Sequence, residues 1–400
     1  MPLPALPRPD EASLRATVER LAFPGRGPTS QGEREAAHWI AGRISALGWP
    51  ARVEEEEATG SYAWPVAALC ALAAAGGLAA GRGRRLAGTL AGLAATAGIA
   101  DDVSCGPQLA RQVLSPRRTA YNVVAETGDP DAARALVVTV HHDAAPTGLV
   151  FDQTAQRWFV RRFPQIVERI TQNPPLWWPV VAGPALVAAG SATGSRGLRR
   201  TGVAASAIAA AALADIAVRP AVPGANDNLS GVAALIDLAG ALRDRPVRGL
   251  RVLLVSAGAE EALQQGIRGF ARRHFRYLDV ERTWFLNLDT VGSGNLVLLE
   301  GEGPLWMEDY SASFNGLVQR CADELSIPLK RGLRSRNSTD GVVPNRAGYA
   351  TASLVSVDDH KLLPEYHLPS DTPETVDYRC VADAALLTEA VARTLAGMPA

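Results

Sequence analysis

Two long apolar runs interrupt this chain, and each one turns at a cluster of arginines. Residues 62–81 carry no charge, Arg82-Gly83-Arg84-Arg85 follows, and 86–100 is uncharged again. The plan recurs at about 175–194, then Ser195-Arg196-Gly197-Leu198-Arg199-Arg200, then a near-neutral stretch at 201–218 that contains Asp215. Each run reads as an apolar helical hairpin with a basic tip. A helix needs about 20 apolar residues to span a bilayer, within a range of roughly 17–25, and 62–81 and 175–194 reach that length. Trp64, Trp177 and Trp178 lie at the ends away from the arginines, where aromatic side chains anchor a spanning helix at the interface. The expectation is contact with a lipid bilayer through residues 62–100 and 175–218. The alternative is a pair of soluble Ala-rich hairpins packed on each other.

If the hairpins span, the arginine tips belong on the cytoplasmic side. Each insertion then crosses an even number of times, so the rest of the chain is expected on the extracytoplasmic side. Asp101 and Asp102, at the end of the first hairpin, fit that orientation. The lack of a cleavable signal peptide at the start opposes it, and a soluble cytoplasmic protein is the alternative.

Outside the hairpins the sequence alternates between strand and helix patterns. Helices are expected at 10–22 and from just after Ser30, where Ser30 with Glu33 forms a capping-box signature. A strand at 51–58 follows, and its run Glu54 to Glu57 reads as a solvated edge. Further strands are expected near 119–126, 135–140, 250–255, 283–288, 295–300 and 353–357, and helices at 228–243, 262–275, 309–324 and 381–396. Val232, Leu235, Ile236, Ala239 and Leu242 keep the 3.6-residue period that places a helix at 228–243. Alternation of this kind predicts a three-layer αβα sandwich around a mostly parallel mixed sheet. The expected organisation is one domain from 1–60, 118–145 and 222–400, with insertions at 61–117 and 146–221. The second insertion opens with a basic amphipathic segment at 151–172, suited either to a membrane surface or to packing over the domain.

Composition narrows the function. Forty Lys plus Arg against 41 Asp plus Glu give a net charge of −1, which argues against a nucleic-acid partner. With 47% hydrophobic and 20% charged residues, the chain is not a disordered one. Cys70, Cys105, Cys321 and Cys380 are scattered and form no thiolate metal pattern. Any metal would be held by histidine and carboxylate.

Ligands of open α/β sheets bind beyond the carboxyl ends of the strands, and there the chemistry collects. His141-His142-Asp143 follows one strand, Glu260-Glu261 another and Asp289 a third, while a later loop carries His360 and Tyr366-His367. Gly224-Ala225-Asn226-Asp227-Asn228 precedes a helix. Imidazoles and carboxylates converging on one edge are what a zinc site uses. Adjacent carboxylates after a buried strand can divide labour, one binding metal and the other moving protons. Neither a Gly-x-Ser-x-Gly elbow nor a Walker-type loop is present.

These motifs, in this order, resemble the di-zinc aminopeptidases and glutamate carboxypeptidases of peptidase clan MH. The resemblance rests on His141-His142-Asp143, on Gly224-Ala225-Asn226-Asp227-Asn228-Leu229-Ser230-Gly231, on Glu260-Glu261, on Asp289, and on Tyr366-His367 with Asp371-Thr372 behind it. It implies two zinc ions bridged by Asp227, with His141 and Asp289 completing one and Glu261 and His367 the other. It further implies Glu260 as general base, Asp143 orienting His141, and a cis peptide at Asp227–Asn228. His367 is preferred to His360 because the flanking Tyr366 and Asp371-Thr372 match the pattern. The sequence departs from the family at Leu263, where glycine is usual, at Thr339-Asp340-Gly341, which lacks a pocket histidine, and at His142, usually aromatic. The implied function is hydrolysis of a peptide substrate by an exopeptidase, foremost an aminopeptidase. The alternatives are a carboxypeptidase or dipeptidase, a glutaminyl cyclase, or a non-catalytic membrane receptor or binding module.

Overall fold

The computed structural model describes residues 6–398. Helices α1 (Glu11–Leu21) and α2 (Gln31–Ala46) begin at side-chain caps, Asp10 accepting from the amides of Ala12 and Ser13, and Ser30 from that of Glu33. The reciprocal half of the capping box is absent. The Glu33 carboxylate is buried and accepts instead from the amides of Thr29, Tyr121 and Ala259.

Strand β1 (Ala51–Ala58) is followed by α3 (Ala63–Gly81), α4 (Arg85–Val103) and the short α5 (Leu109–Leu114) before β2 (Arg118–Gly128) returns antiparallel to it. After β3 (Ala135–His141) come α6 (Thr154–Arg162) and α7 (Pro164–Arg169), then α8 (Trp177–Thr193) and α9 (Arg196–Val218). The domain resumes with α10 (Ser230–Asp244), β4 (Arg251–Ala257), α11 (Gln265–His274), β5 (Thr283–Leu288) and β6 (Asn295–Leu298). Three two-residue strands form a small side sheet: β7 (Gly301–Glu302), β8 (Glu308–Asp309) and β9 (Arg334–Ser335), with α12 (Ala312–Glu324) between the last two. The chain closes with α13 (Val342–Arg346), β10 (Ala350–Val357) and α14 (Tyr378–Ala396).

The main sheet has seven strands in the order β1-β2-β4-β3-β5-β10-β6. Its centre, β4-β3-β5-β10, is parallel, and the outer pairings are antiparallel. Alternate residues serve opposite faces, as the two-residue strand period requires. In β3, Leu136, Val138 and Val140 join the core under α1, α2, α10, α12 and α14, while Ala135 and Val137 face the core that α11 covers. That double burial is why the central strands read as continuous apolar runs.

The same alternation corrects the reading of the glutamate run. Glu55 and Glu57 are exposed, but Glu54 and Glu56 are buried beneath the basic last turn of α11. Glu54 lies 2.8 Å from His274 Nε2, and Glu56 accepts from Arg273 Nε at 2.9 Å.

The two hairpins pack on each other as a four-helix bundle, α3 against α4 and α9, and α8 against α4 and α9. Both arginine tips lie at one end, because Arg85 donates to the carbonyls of Ser191 and Ala192 at the close of α8. At the other end the Tyr62 and Trp177 rings meet edge to face, 5.6 Å apart. The interior is narrow. A Cβ on Gly92 would stand 2.6 Å from the amide nitrogen of Ala188, and one on Gly202 would stand 2.5 Å from that of Val187. Leu69, Ile99, Leu213 and Ile216 are buried toward the domain end, while many large side chains face outward: Leu72, Leu78, Leu86, Leu90, Leu93 and Ile208 are 45–73% exposed. The second hairpin differs from expectation in its limbs. Pro174-Pro175 delays α8 to Trp177, leaving 17 residues, while the arginine tip itself is helical and extends α9 to 23. Among the described residues, α3 and α9 are the helices long and apolar enough to cross a membrane.

Candidate metal centre

Four of the six chemically active side chains stand where a strand runs out. His141 ends β3, Glu260 and Glu261 follow β4 after a two-residue turn, and Asp289 follows β5 directly. Asp227 comes from the turn ahead of α10, and His367 from the loop after β10. The structure brings all six to one buried place. His141 Nε2 lies 3.2 Å from Asp227 Oδ1 and 3.9 Å from Asp289 Oδ2. His367 Nε2 lies 3.5 Å from Asp227 Oδ2 and 3.3 Å from Glu261 Oε2. Three groups of ligand atoms cluster closely enough for a metal; His141–Glu260–Glu261 is one, and the other two, His141–Asp227–Asp289 and Asp227–Glu261–His367, share Asp227. His360 joins none of them and lines the cavity beside the centre.

The donor set fits metal. Ligands held 2.0–2.2 Å from a tetrahedral zinc stand about 3.3–3.6 Å from one another, close to the separations above. Glu261 Oε1 and both ring nitrogens of His367 are buried without a hydrogen-bond partner, a state that burial penalises unless another group completes them. Burial also pushes the Glu260 carboxyl well above its ordinary range, with His141 opposing.

A layer of carboxylates holds the backbone that presents these groups. Asp143 accepts from the amides of Glu260 and Glu261 at 3.1 and 3.0 Å. Its own carboxylate and carbonyl oxygens lie 3.5 and 3.3 Å from His141 Nδ1. It therefore orients the glutamate turn as well as the imidazole. Asp371 does the same for Asp227, accepting from the amides of Asn226 and Asp227 at 2.8 and 3.1 Å, and burial pushes its carboxyl up to about 7. Asn228 ties that turn to Thr290, Gly231 and Leu288 through three hydrogen bonds. The Asp227–Asn228 peptide is cis.

Several supporting groups escape sequence reasoning. Arg26 is fully buried and donates to the carbonyls of Leu21, His142, Pro223 and Gly224, joining the turns that carry His141 and Asp227. Gln264 donates to Glu260 Oε1 at 2.9 Å and to the Ser338 carbonyl, and accepts from Cys105 at the foot of the first hairpin. Neither belongs to a motif. Leu263, which stands where the family has glycine, has φ of 64°. The turn thus keeps the left-handed conformation that glycine adopts most easily. His142 turns away from the cavity toward Ser256 Oγ, and burial lowers it to about 3. Thr339 lines the cavity and Asp340 is buried behind it.

The fold and centre define a metal-binding, peptidase-like hydrolase. Residues 208–392 match the model of Peptidase family M28, in line with the resemblance that the motifs carry. That span holds Asp227, Glu260, Glu261, Asp289 and His367, and His141 lies ahead of it. Among solved structures, glutaminyl cyclase from Bacteroides thetaiotaomicron bound to N-acetylhistamine is similar with a TM-score of 0.59 at 14% identity, over 97% of this chain and 99% of that one. A leucine aminopeptidase precursor from the same organism gives 0.56 at 15%, over 98% and 99%. BSAP, a zinc aminopeptidase from Bacillus subtilis, gives 0.55 at 14%, over 97% and 95%. The fold is thus shared by aminopeptidases and glutaminyl cyclases. No curated protein matches the chain.

Proposed function

We propose that this protein is an aminopeptidase that works with two zinc ions. The observation that carries the reading is the division of Asp227, one oxygen toward His141 and the other toward His367. His141 and Asp289 would complete one zinc, Glu261 and His367 the other. When bound, the metals supply Lewis acidity that makes a water nucleophilic near neutral pH. Glu260 takes the proton from that water and delivers it to the departing amine. Gln264 holds the Glu260 carboxylate, and Asp143 fixes the turn beneath it.

A carboxypeptidase or dipeptidase needs a free cation for the substrate's carboxylate. The basic side chains of the cavity wall are already engaged, Arg334 with Asp309 and Lys361 with the carbonyls of Val167, Glu168 and Ile170. Retention of both His141 and Asp289 favours the peptidase over a glutaminyl cyclase, which on this scaffold manages with a single metal's ligands. The test is zinc stoichiometry together with cleavage of matched peptides with free amino, acetylated amino or amidated carboxyl termini. Two zinc ions and cleavage only of free-amine peptides support the reading. One zinc with cyclisation of amino-terminal glutamine, or a requirement for a free carboxylate, would replace it.

The same reading places the four-helix bundle in a bilayer and the catalytic domain on its extracytoplasmic side. Support comes from the outward leucines, from the small-residue interior typical of helix contacts in membranes, and from both arginine tips at one end.

A further inference from the structure

The cavity over the metal centre is larger than exopeptidase chemistry requires. It has a volume of about 480 Å³, within the roughly 300–1,000 Å³ that holds a whole small ligand. One end is the ligand set itself. The rest is a mainly apolar slot, lined by Leu299, Val355 and Val357 from the sheet side and by Phe159, Val167 and Ile170 from the lead-in to the second hairpin, with Gln153, Gln172, Asn173 and Asn337 among them.

The lead-in is fixed over the centre as a roof. Phe151 meets the His367 ring edge to face at 4.5 Å, Arg157 pairs with Glu365 at 2.7 Å, and Lys361 closes the end of α7. The roof's outer side exposes Leu149, Trp158 and Ile166 at 50–75%, among the exposed Arg161, Arg162 and Arg169. It runs into Leu176 and Trp178 at the start of α8, which are 46–47% exposed. The slot thus begins at the metal ligands and ends beside the end of the bundle that carries the tryptophans.

We infer that this slot holds an alkyl chain, and that the substrate is an amphiphilic peptide whose amino-terminal residue, the one released, carries a chain longer than any standard side chain. The wall's lysine and arginine are engaged and its surface is mainly apolar, which favours an apolar residue over a charged one. An apolar chain gains from both faces at once, and the apolar residues exposed on the roof are where a lipid-bearing peptide would arrive. The reaction is that of the proposed function, on which this inference rests. Water adds across the amide, its oxygen to the carbonyl carbon and its protons to the leaving nitrogen, so no further reactant is needed.

The test has two arms. In the first, zinc-loaded protein is given 2-amino-n-alkanoyl anilides with chains of four to fourteen carbons. In the second, calorimetry measures binding of the matching 2-amino-n-alkyl hydroxamates, which are not turned over. Each added methylene should tighten binding about three- to fourfold until the slot is full, with kcat/KM rising in parallel. Val357→Trp, or Leu299→Phe should the first fail to fold, should move the preferred length to shorter chains. Chain-dependent binding without hydrolysis would keep the slot and overturn the aminopeptidase reading. Hydrolysis and binding that stay flat beyond side chains of natural length would overturn the slot and leave that reading intact.

Discussion

Asp227 can face two imidazoles only because its own backbone is held from behind. Its amide is bound by Asp371, whose carboxylate is buried beside Arg26 and spans two successive N–H groups. Asp143 holds Glu260 and Glu261 by the same device. In the proposed function this leaves one glutamate for metal and the other for proton transfer. Glu260→Gln should retain its zinc but lose roughly 10²–10⁴-fold in kcat. Metal analysis beside turnover checks this, and near wild-type turnover would remove Glu260 from the role of base. A second carboxyl gives a pH prediction. Glu302 is buried against Tyr310 and Thr339, and burial pushes it up to about 7. A folded carboxyl raised in this way binds its proton more tightly than the unfolded chain does. Stability is therefore full below about pH 4.5 and falls as pH rises toward 7, by an amount on the order of 3 kcal/mol. Glu302→Gln has no proton to release. Urea unfolding of the metal-free protein at pH 5 and pH 8 should show a smaller loss between the two for the variant than for wild type. An equal loss in both would assign the pH dependence to other groups.

At the scale of elements, the roof is the part a sequence reading sees least well. Residues 151–172 have the composition of one amphipathic helix, but Pro164 cannot continue α6 and the segment bends into α6 and α7. What holds α7 in place is remote in sequence: the Lys361 ammonium donates to three carbonyls at its end, at 2.8–3.1 Å. Lys361→Met should loosen α7 by about 1–2 kcal/mol, seen as roughly tenfold or faster amide exchange across 164–170. KM should rise more than kcat falls, since the roof binds substrate and bears none of the reacting groups. Unchanged exchange would mean that Phe151 and Arg157 hold the roof unaided. The same contrast explains what was legible. Strands buried on both faces and a helix with a 3.6-residue period announce themselves, so the seven-strand sheet and α10 were readable. The candidate ligand residues stood out too, as motifs, most of them following strands, and the structure brings them together. Arg26, Gln264 and the burial of Glu33, Glu54 and Glu56 did not, because each depends on a partner brought up from a distant part of the chain. Nor do the two-residue strands of the side sheet carry any period to detect.

For the whole molecule the question is which solvent surrounds the bundle. A water-soluble four-helix bundle keeps leucine inside and polar groups outside; here glycine and alanine line the closest contacts. While Leu69, Ile99, Leu213 and Ile216 are buried, Leu72, Leu78, Leu86, Leu90, Leu93 and Ile208 face out. Each half-exposed leucine gains roughly 1 kcal/mol on leaving water, and six such residues lie on the bundle surface. At 19 and 23 residues, α3 and α9 are about 28 and 35 Å long, close to the roughly 30 Å hydrocarbon core. The tryptophans and the catalytic domain lie at one end and the arginines at the other, so an inserted bundle has one defined polarity. Cysteine placed at Arg82 or Arg196, at the tips, should react with a membrane-impermeant maleimide only in inside-out vesicles. Cysteine at Ser313, on α12 of the catalytic domain, should react only in intact spheroplasts, with wild type as the control for the native thiols. The protein should also stay in the membrane fraction through an alkaline carbonate wash. Labelling of tips and domain from the same side would contradict a spanning bundle, and release by the wash would show that the outward leucines are covered by something other than lipid.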